Sequence, residues 1–61
     1  DSLTKADCKN LLVSFLSDKE KKVPMSSAVE TRAYEVKDRY KAKNGNSYIK
    51  DEWERIMKTE W

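Results

Sequence analysis

The side chains that most often perform catalysis are either missing from this sequence or placed where they cannot act together. There is no histidine, so the usual general base at neutral pH is absent. The acidic pairs Asp51–Glu52 and Glu52–Glu54 are one and two residues apart, and neighbours at that spacing do not converge on a helix surface. Gly45 is the only glycine, which excludes a glycine-rich phosphate loop. We therefore expect neither enzymatic activity nor a cofactor.

Cys8 is the only cysteine in the sequence. A single cysteine cannot form an internal disulfide bond, and without histidine it has no companions for a zinc site. It lies on the apolar stripe of the first predicted helix, which favours a small core residue over a reactive thiol. A lone cysteine also favours a reducing compartment over secretion.

The middle of the chain is the candidate binding surface. Residues 19–43 contain eight lysines or arginines and four acidic residues, a local net charge of +4, whereas the whole chain carries +2. Ammonium and guanidinium groups pair with phosphate and carboxylate oxygens, which predicts that a phosphorylated or acidic peptide binds here. The candidate contacts are Lys21, Lys22, Tyr34, Arg39 and Lys41. The alternative is that these side chains only keep the surface hydrated.

Apolar residues at helical spacing predict a first helix over about 4–18. Thr4 is its predicted N-cap, and Asp7, three residues later, completes a capping box and suits the helix dipole. Pro24 then forces Val23 towards extended geometry, and we expect Val23 to hold this linker on the core.

A second capping box, formed by Ser27 and Glu30, predicts that the second helix begins at Ala28. Its end is predicted somewhere within 37–43, and a separate short helical turn over 39–42 is an alternative to one continuous helix.

The chain's only glycine marks the next break. Gly45 is predicted to stop the second helix in the left-handed conformation, because flanking alternating strands, which a hairpin would need, are missing. Ser47 then caps a third helix over about 48–60, with Trp53 on its inward face.

Three short amphipathic helices cannot bury their apolar stripes separately, so the sequence predicts an all-α, three-helix bundle in a single domain over 1–61. The expected core consists of Leu12, Phe15, Leu16, Val29, Val36, Ile49, Trp53 and Ile56. Trp61 fits either a lid on this core or an exposed contact. No apolar run is long enough to span a bilayer, and we expect a monomer. Because the chain starts without Met, we expect a fragment of a larger protein.

The order of these features resembles the FF domain. Phe15-Leu16 precedes Lys22-Val23-Pro24, and Val29-Glu30 stands at the family's Trp-Glu position. Asp38-Arg39-Tyr40 matches an Asp-Pro-Arg-Tyr element without its proline, and Trp53 with Ile56 matches the final aromatic pair. The resemblance covers most of the chain but departs from the family at several of these signature positions.

This resemblance implies an orthogonal three-helix bundle with a short 3₁₀ turn near Tyr40, between helices 2 and 3. It also implies a nuclear, non-catalytic module that binds phosphorylated or acidic peptides, such as polymerase tails, in transcription elongation or pre-mRNA splicing proteins.

Two other interpretations compete with this resemblance. The chain also resembles the N-terminal helical domain of elongation factor S-II, through Leu11-Leu12, Val23, Thr31-Arg32 and Trp61, although it is short for that bundle. A small helical nucleic-acid-binding domain is less favoured, because the third helix is acidic and would repel a phosphate backbone.

Overall fold

The computed structural model describes residues 3–45 and 47–61, and these form a three-helix bundle without strands. The helices are α1 (Lys5–Glu20), α2 (Ser27–Ala42) and α3 (Ser47–Met57). The all-α, three-helix fold is therefore confirmed. None of the described helices is long and apolar enough to cross a membrane.

The N-terminal caps agree with the sequence for α1 and differ by one residue for α2. The Thr4 side chain accepts the Asp7 amide at 3.0 Å, and the Asp7 carboxylate accepts the Thr4 amide at 3.2 Å, so the capping box is confirmed. At α2 the hydroxyl of Ser26, not Ser27, accepts the Val29 amide at 3.3 Å. Both serines present the same hydroxyl, and Ser26 has the extended backbone that a cap requires.

All three helices end at a residue with positive φ that is not glycine: Lys22, Asn44 and Lys58. At the end of α2 the Gly45 amide donates to the Tyr40 carbonyl at 3.0 Å and the Asn44 amide to the Lys41 carbonyl at 3.1 Å, a Schellman motif. The prediction that Gly45 adopts the left-handed conformation is wrong, because Asn44 occupies that position.

Gly45 is instead required by packing. A Cβ atom at this position would overlap the ring of Tyr40, which is fully buried. The glycine therefore lets the chain pass directly over a core aromatic ring.

The last turn of α2 replaces the predicted short turn. α2 runs without a break through Ala42, and the described part of the following connection, 43–45, contains no separate 3₁₀ helix. Bonds from Lys43 to Tyr40 and from Asn44 to Lys41 only tighten the end of the α-helix. Asn46 lies outside the described residues.

The third helix is shorter than predicted. It begins at Ser47, the residue predicted as its cap, and ends at Met57 instead of residue 60. Lys58 turns left-handed there and its amide bonds the Glu54 carbonyl at 3.1 Å, which leaves Trp61 free to return to the core.

The core is built around α1, which packs against both other helices, whereas no Cα atom of α2 lies within 8 Å of α3. Its buried residues are Cys8, Leu12, Phe15, Leu16, Ala33, Val36, Tyr40, Ile49 and Trp53. This confirms six of the eight predicted core residues and the placement of Cys8 as a buried free thiol. Ile56 is partly buried against the core, together with Met25 and Trp61.

Two predicted apolar contacts are wrong. Val29 is 47% exposed and Val23 is 44% exposed. Met25 packs against the core in place of Val23, so the linker is held two residues later than predicted. The exposure of Val29 is a consequence of the space left between α1 and α2.

Candidate functional site

An apolar groove of about 190 Å³ runs between α1 and α2. We call it the α1–α2 groove; it is lined by Leu11, Phe15, Met25, Val29, Arg32 and Val36, among others. Phe15 and Val36 are core residues, whereas Leu11 and Val29 stand at 44% and 47% exposure. Two large apolar side chains thus remain in water beside a depression whose floor is the hydrophobic core.

The α2 side of this groove is cationic. Arg32 lines the groove, and Arg39 follows two helical turns later on the same flank of α2. The Arg32 guanidinium lies 4.0 Å from the Glu35 carboxylate, which is a long distance for an ion pair. Both side chains are more than half exposed. An exposed pair of this kind is weak, so Arg32 keeps most of its capacity to attract an anion. Asp18 supplies the one acidic side chain of the lining.

The structure divides the five predicted contacts among three places. Lys21 and Lys22 are exposed at the end of α1, just before the linker that brings Met25 to the groove. Arg39 lies on the groove flank of α2. Tyr34 and Lys41, seven residues apart, share the other flank, so the predicted set does not form one continuous surface.

That other flank faces α3 across a set of aromatic rings that we call the aromatic seam; it is formed by Tyr34, Tyr40 and Trp53, and Trp61 packs into it. The edge of one ring meets another at centroid distances of 5.3 Å for Tyr34–Trp53, 6.3 Å for Tyr40–Trp61 and 5.9 Å for Trp53–Trp61. Trp53 is fully buried, and its indole N–H has no hydrogen-bond partner among the described residues. Aromatic side chains therefore join two helices whose backbones do not meet.

The Lys37 side chain lies over the rings of the aromatic seam. Its ammonium lies 5.0 Å from the ring centre of Trp53, 5.4 Å from Tyr34 and 5.9 Å from Trp61, which are cation–π distances. Sequence reasoning missed this role. The spacing of Tyr34, Lys37 and Lys41 indicates a shared flank, but no local signal places Trp61 beside them.

Trp61 is held at both of its main-chain groups. Its amide donates to Glu54 Oε2 at 3.2 Å, and its main-chain oxygen accepts from Lys41 Nζ at 3.0 Å. The bond from the Trp61 amide, with a smaller contribution from Lys50, lowers the pKa of Glu54 against the opposing effect of burial. Of the two predicted roles for Trp61, the structure shows the lid.

A second, smaller depression of about 150 Å³ lies between α1 and α3. Its exposed apolar residues are Val13 at 43% and Tyr48 at 60%. Arg55 binds both Glu52, at 2.6 Å, and Glu20, at 2.9 Å, and these bonds raise the pKa of the guanidinium. Hydrogen bonding to Arg55 lowers the pKa of Glu52. The surface here is acidic and already paired, unlike the α2 side of the α1–α2 groove.

Comparisons of this chain with family models, with curated proteins and with solved structures found no match. The resemblances to the FF domain and to the S-II domain therefore stay predictions, and the functional argument depends on the surfaces described above.

Proposed function

We propose that this chain is a non-catalytic protein-interaction module that binds an acidic or phosphorylated amphipathic segment in the α1–α2 groove. The observation that carries the proposal is the pair of exposed apolar side chains, Leu11 and Val29, beside an apolar groove with an arginine flank.

The apolar part of the proposal concerns affinity. A partner helix with apolar residues at i, i+3, i+4 and i+7 would cover Leu11 and Val29 and insert side chains over Phe15. Burying apolar surface contributes about 25 cal/mol per Å², so two half-exposed residues and their partners are a reasonable anchor for a weak docking contact.

The charged part concerns selectivity. Arg32 and Arg39 would pair with carboxylate or phosphate oxygens on the segment, and guanidinium groups do this with two parallel bonds. Lys21 and Lys22 would add attraction at the end of the groove where Met25 lies. Because these charges are exposed, they act mainly on the association rate and weaken as salt is added.

The cellular setting follows from the resemblance alone. FF domains occur in transcription elongation and pre-mRNA splicing proteins, so we propose a nuclear parent protein and a phosphorylated polymerase tail or a splicing or elongation factor as the partner. Tyr34 and Lys41 lie on the other flank of α2, and in this proposal they do not contact the groove-bound segment.

The test is an amide-shift titration of the isotope-labelled chain with a designed amphipathic peptide whose polar face carries glutamate or phosphoserine. We expect shifts concentrated on residues 11–18 and 25–39. Duplex DNA and a peptide with lysine on the polar face are added in parallel. Stronger shifts with DNA would support the nucleic-acid alternative and overturn the proposal.

Matched variants on α1 distinguish binding in the α1–α2 groove from nonspecific binding to exposed apolar side chains. Leu11→Ser and Val13→Ser remove apolar side chains of nearly equal exposure from opposite flanks of the same helix. We expect peptide binding to weaken about tenfold for Leu11→Ser, which corresponds to roughly 1.4 kcal/mol, and to be unchanged for Val13→Ser. Equal losses in the two variants would contradict the proposal. Replacing Arg32 and Arg39 with Gln should reduce the salt dependence of binding, whereas Lys9→Gln should leave it unchanged.

A further inference from the structure

The segment after α3 fills the aromatic seam in the manner of a bound peptide. The Trp61 indole contacts the rings of Tyr40 and Trp53, its amide donates to Glu54, and its main-chain oxygen accepts from Lys41. A residue of an extended peptide offers one side chain, one amide and one carbonyl for recognition. Each of these groups of Trp61 has a partner here: the rings of the seam, Glu54 and Lys41 respectively.

The other residues around the seam contact one another without Trp61. Trp53 is stacked on Phe15 at 5.9 Å and met by Tyr34 at 5.3 Å, and Lys37 lies over both Trp53 and Tyr34. Since no Cα atom of α2 lies within 8 Å of α3, the space between them is occupied by side chains. Removing Trp61 would therefore leave a notch with an aromatic floor and a cation at its edge.

We propose that the aromatic seam is a binding site for a tryptophan residue in an extended segment of a partner protein, and that Trp61 occupies this site in cis. The ligand is recognised by an indole ring, an amide that can donate to Glu54 and a carbonyl that can accept from Lys41. The seam lies on the opposite flank of α2 from the α1–α2 groove, so this site is independent of the function proposed above.

Occupation of the seam by Trp61 lowers the apparent affinity of the seam for a tryptophan from another molecule. A ligand in trans binds only the fraction of molecules in which Trp61 has left the seam, so its apparent affinity is reduced by that fraction. Residues 58–60 are exposed, and segments with little buried surface open at low free-energy cost. Emptying the seam by mutation should remove this reduction.

The experiment uses the whole chain with Trp61→Ala and the probe N-acetyl-tryptophanamide, which carries one indole and an amide on each side. Binding is followed by the shifts of the Trp53 indole and the Lys37 and Tyr34 side chains. We expect the probe to bind Trp61→Ala about tenfold or more tightly than the parent chain. N-acetyl-leucinamide, which keeps the amides but lacks the indole, should bind neither.

Two controls locate the site. Tyr48→Ala removes an exposed ring from the α1–α3 surface and should not create probe binding. Adding Glu54→Gln to Trp61→Ala should weaken the probe several-fold, because the amide loses its charged acceptor. Equal probe binding by Trp61→Ala and the parent would overturn the proposal.

Folding of the variant is checked by far-UV circular dichroism. If Trp61→Ala is unfolded, Trp61→Leu keeps an apolar cover on the core and takes its place in the same titration. If neither variant folds, Trp61 is an integral part of the core and the proposal is wrong.

Discussion

The two flanks of α2 both present apolar and cationic side chains, but among the described residues only one flank is covered by another part of the chain. On the seam flank, Tyr34 and Lys37 are met by Trp53 and by the returning Trp61. On the groove flank, Val29 and Arg32 face a depression that no residue of the described chain fills. Both flanks combine apolar and cationic side chains, so their composition does not distinguish them.

The difference lies in where the cover comes from. Trp61 is twenty residues beyond Lys41 and reaches it only because α3 ends at Met57. On the groove flank the nearest segment is the linker before α2, and it contributes Met25 but leaves Val29 half-exposed. Among the described residues the seam flank is therefore covered by Trp61, and the groove flank keeps exposed apolar side chains.

The largest expected effect comes from the residue that both flanks share. Phe15 forms part of the groove floor and stacks on Trp53 of the seam, so Phe15→Ala should lower the free energy of unfolding by about 3–5 kcal/mol. That loss is comparable with the whole stability of a small domain. The measurement is chemical denaturation followed by circular dichroism.

Val29→Ala is the matched change on the rim alone. Because Val29 is already half in water, we expect a loss within about 0.5 kcal/mol. Should Val29→Ala destabilise the chain as much as Phe15→Ala, the groove is closed in solution and the comparison between the flanks fails.

A second prediction concerns a substitution that disturbs only the seam flank. Gly45→Ala places a Cβ atom on the Tyr40 ring, and the ring must move away from Trp61 or the backbone must shift. We expect a loss of about 1–3 kcal/mol, the usual cost of overpacking a small core. Asn44→Gly is the control, since glycine suits the left-handed position and should be neutral or stabilising. A neutral Gly45→Ala would show that Tyr40 is not tightly packed there.

The fold was largely predictable because its signals are local. Capping boxes and helical spacing of apolar residues determined the number of helices and the cap at Thr4. The one-residue error at Ser26 and Ser27 arises because adjacent serines carry identical chemistry. Gly45 was misassigned because a glycine after a helix fits either a left-handed turn or a close contact, and only the position of Tyr40 distinguishes the two.

The candidate site was predictable only in part, because it depends on distances across the chain. A local charge of +4 correctly indicates basic side chains but not which flank of α2 each one occupies. Val29 follows the apolar stripe of α2, and periodicity alone assigns it to the core. The contact of Lys37 with Trp61 joins α2 to the segment that follows α3, and no spacing rule anticipates it.

A third prediction tests what sets the register of both flanks. Ser26→Ala should cost about 1 kcal/mol, because the Val29 amide loses its acceptor at the start of α2. Ser27→Ala should be neutral, since Ser27 is the first helical residue and gives no cap. The pair is measured by thermal unfolding, and the reverse ranking would move the start of α2 to the position predicted from sequence.

The smallest expected effect is a pH response confined to the covered flank. Glu54 has a pKa lowered by the bond from the Trp61 amide, so the folded chain holds this carboxylate ionised more firmly than the unfolded chain does. The resulting stabilisation is complete above the unfolded pKa of about 4.3 and is lost as the pH falls through the lower folded value. The bond from the Trp61 amide to Glu54 should therefore weaken only below about pH 4.3, and the Trp61 indole proton signal should report a single titration step. In Glu54→Gln that step should disappear, because the amide side chain does not ionise, while the step from Glu52 persists elsewhere. If Trp61 titrates identically in both proteins, Glu54 does not hold it, and the cover of the seam depends on ring packing and Lys41 alone.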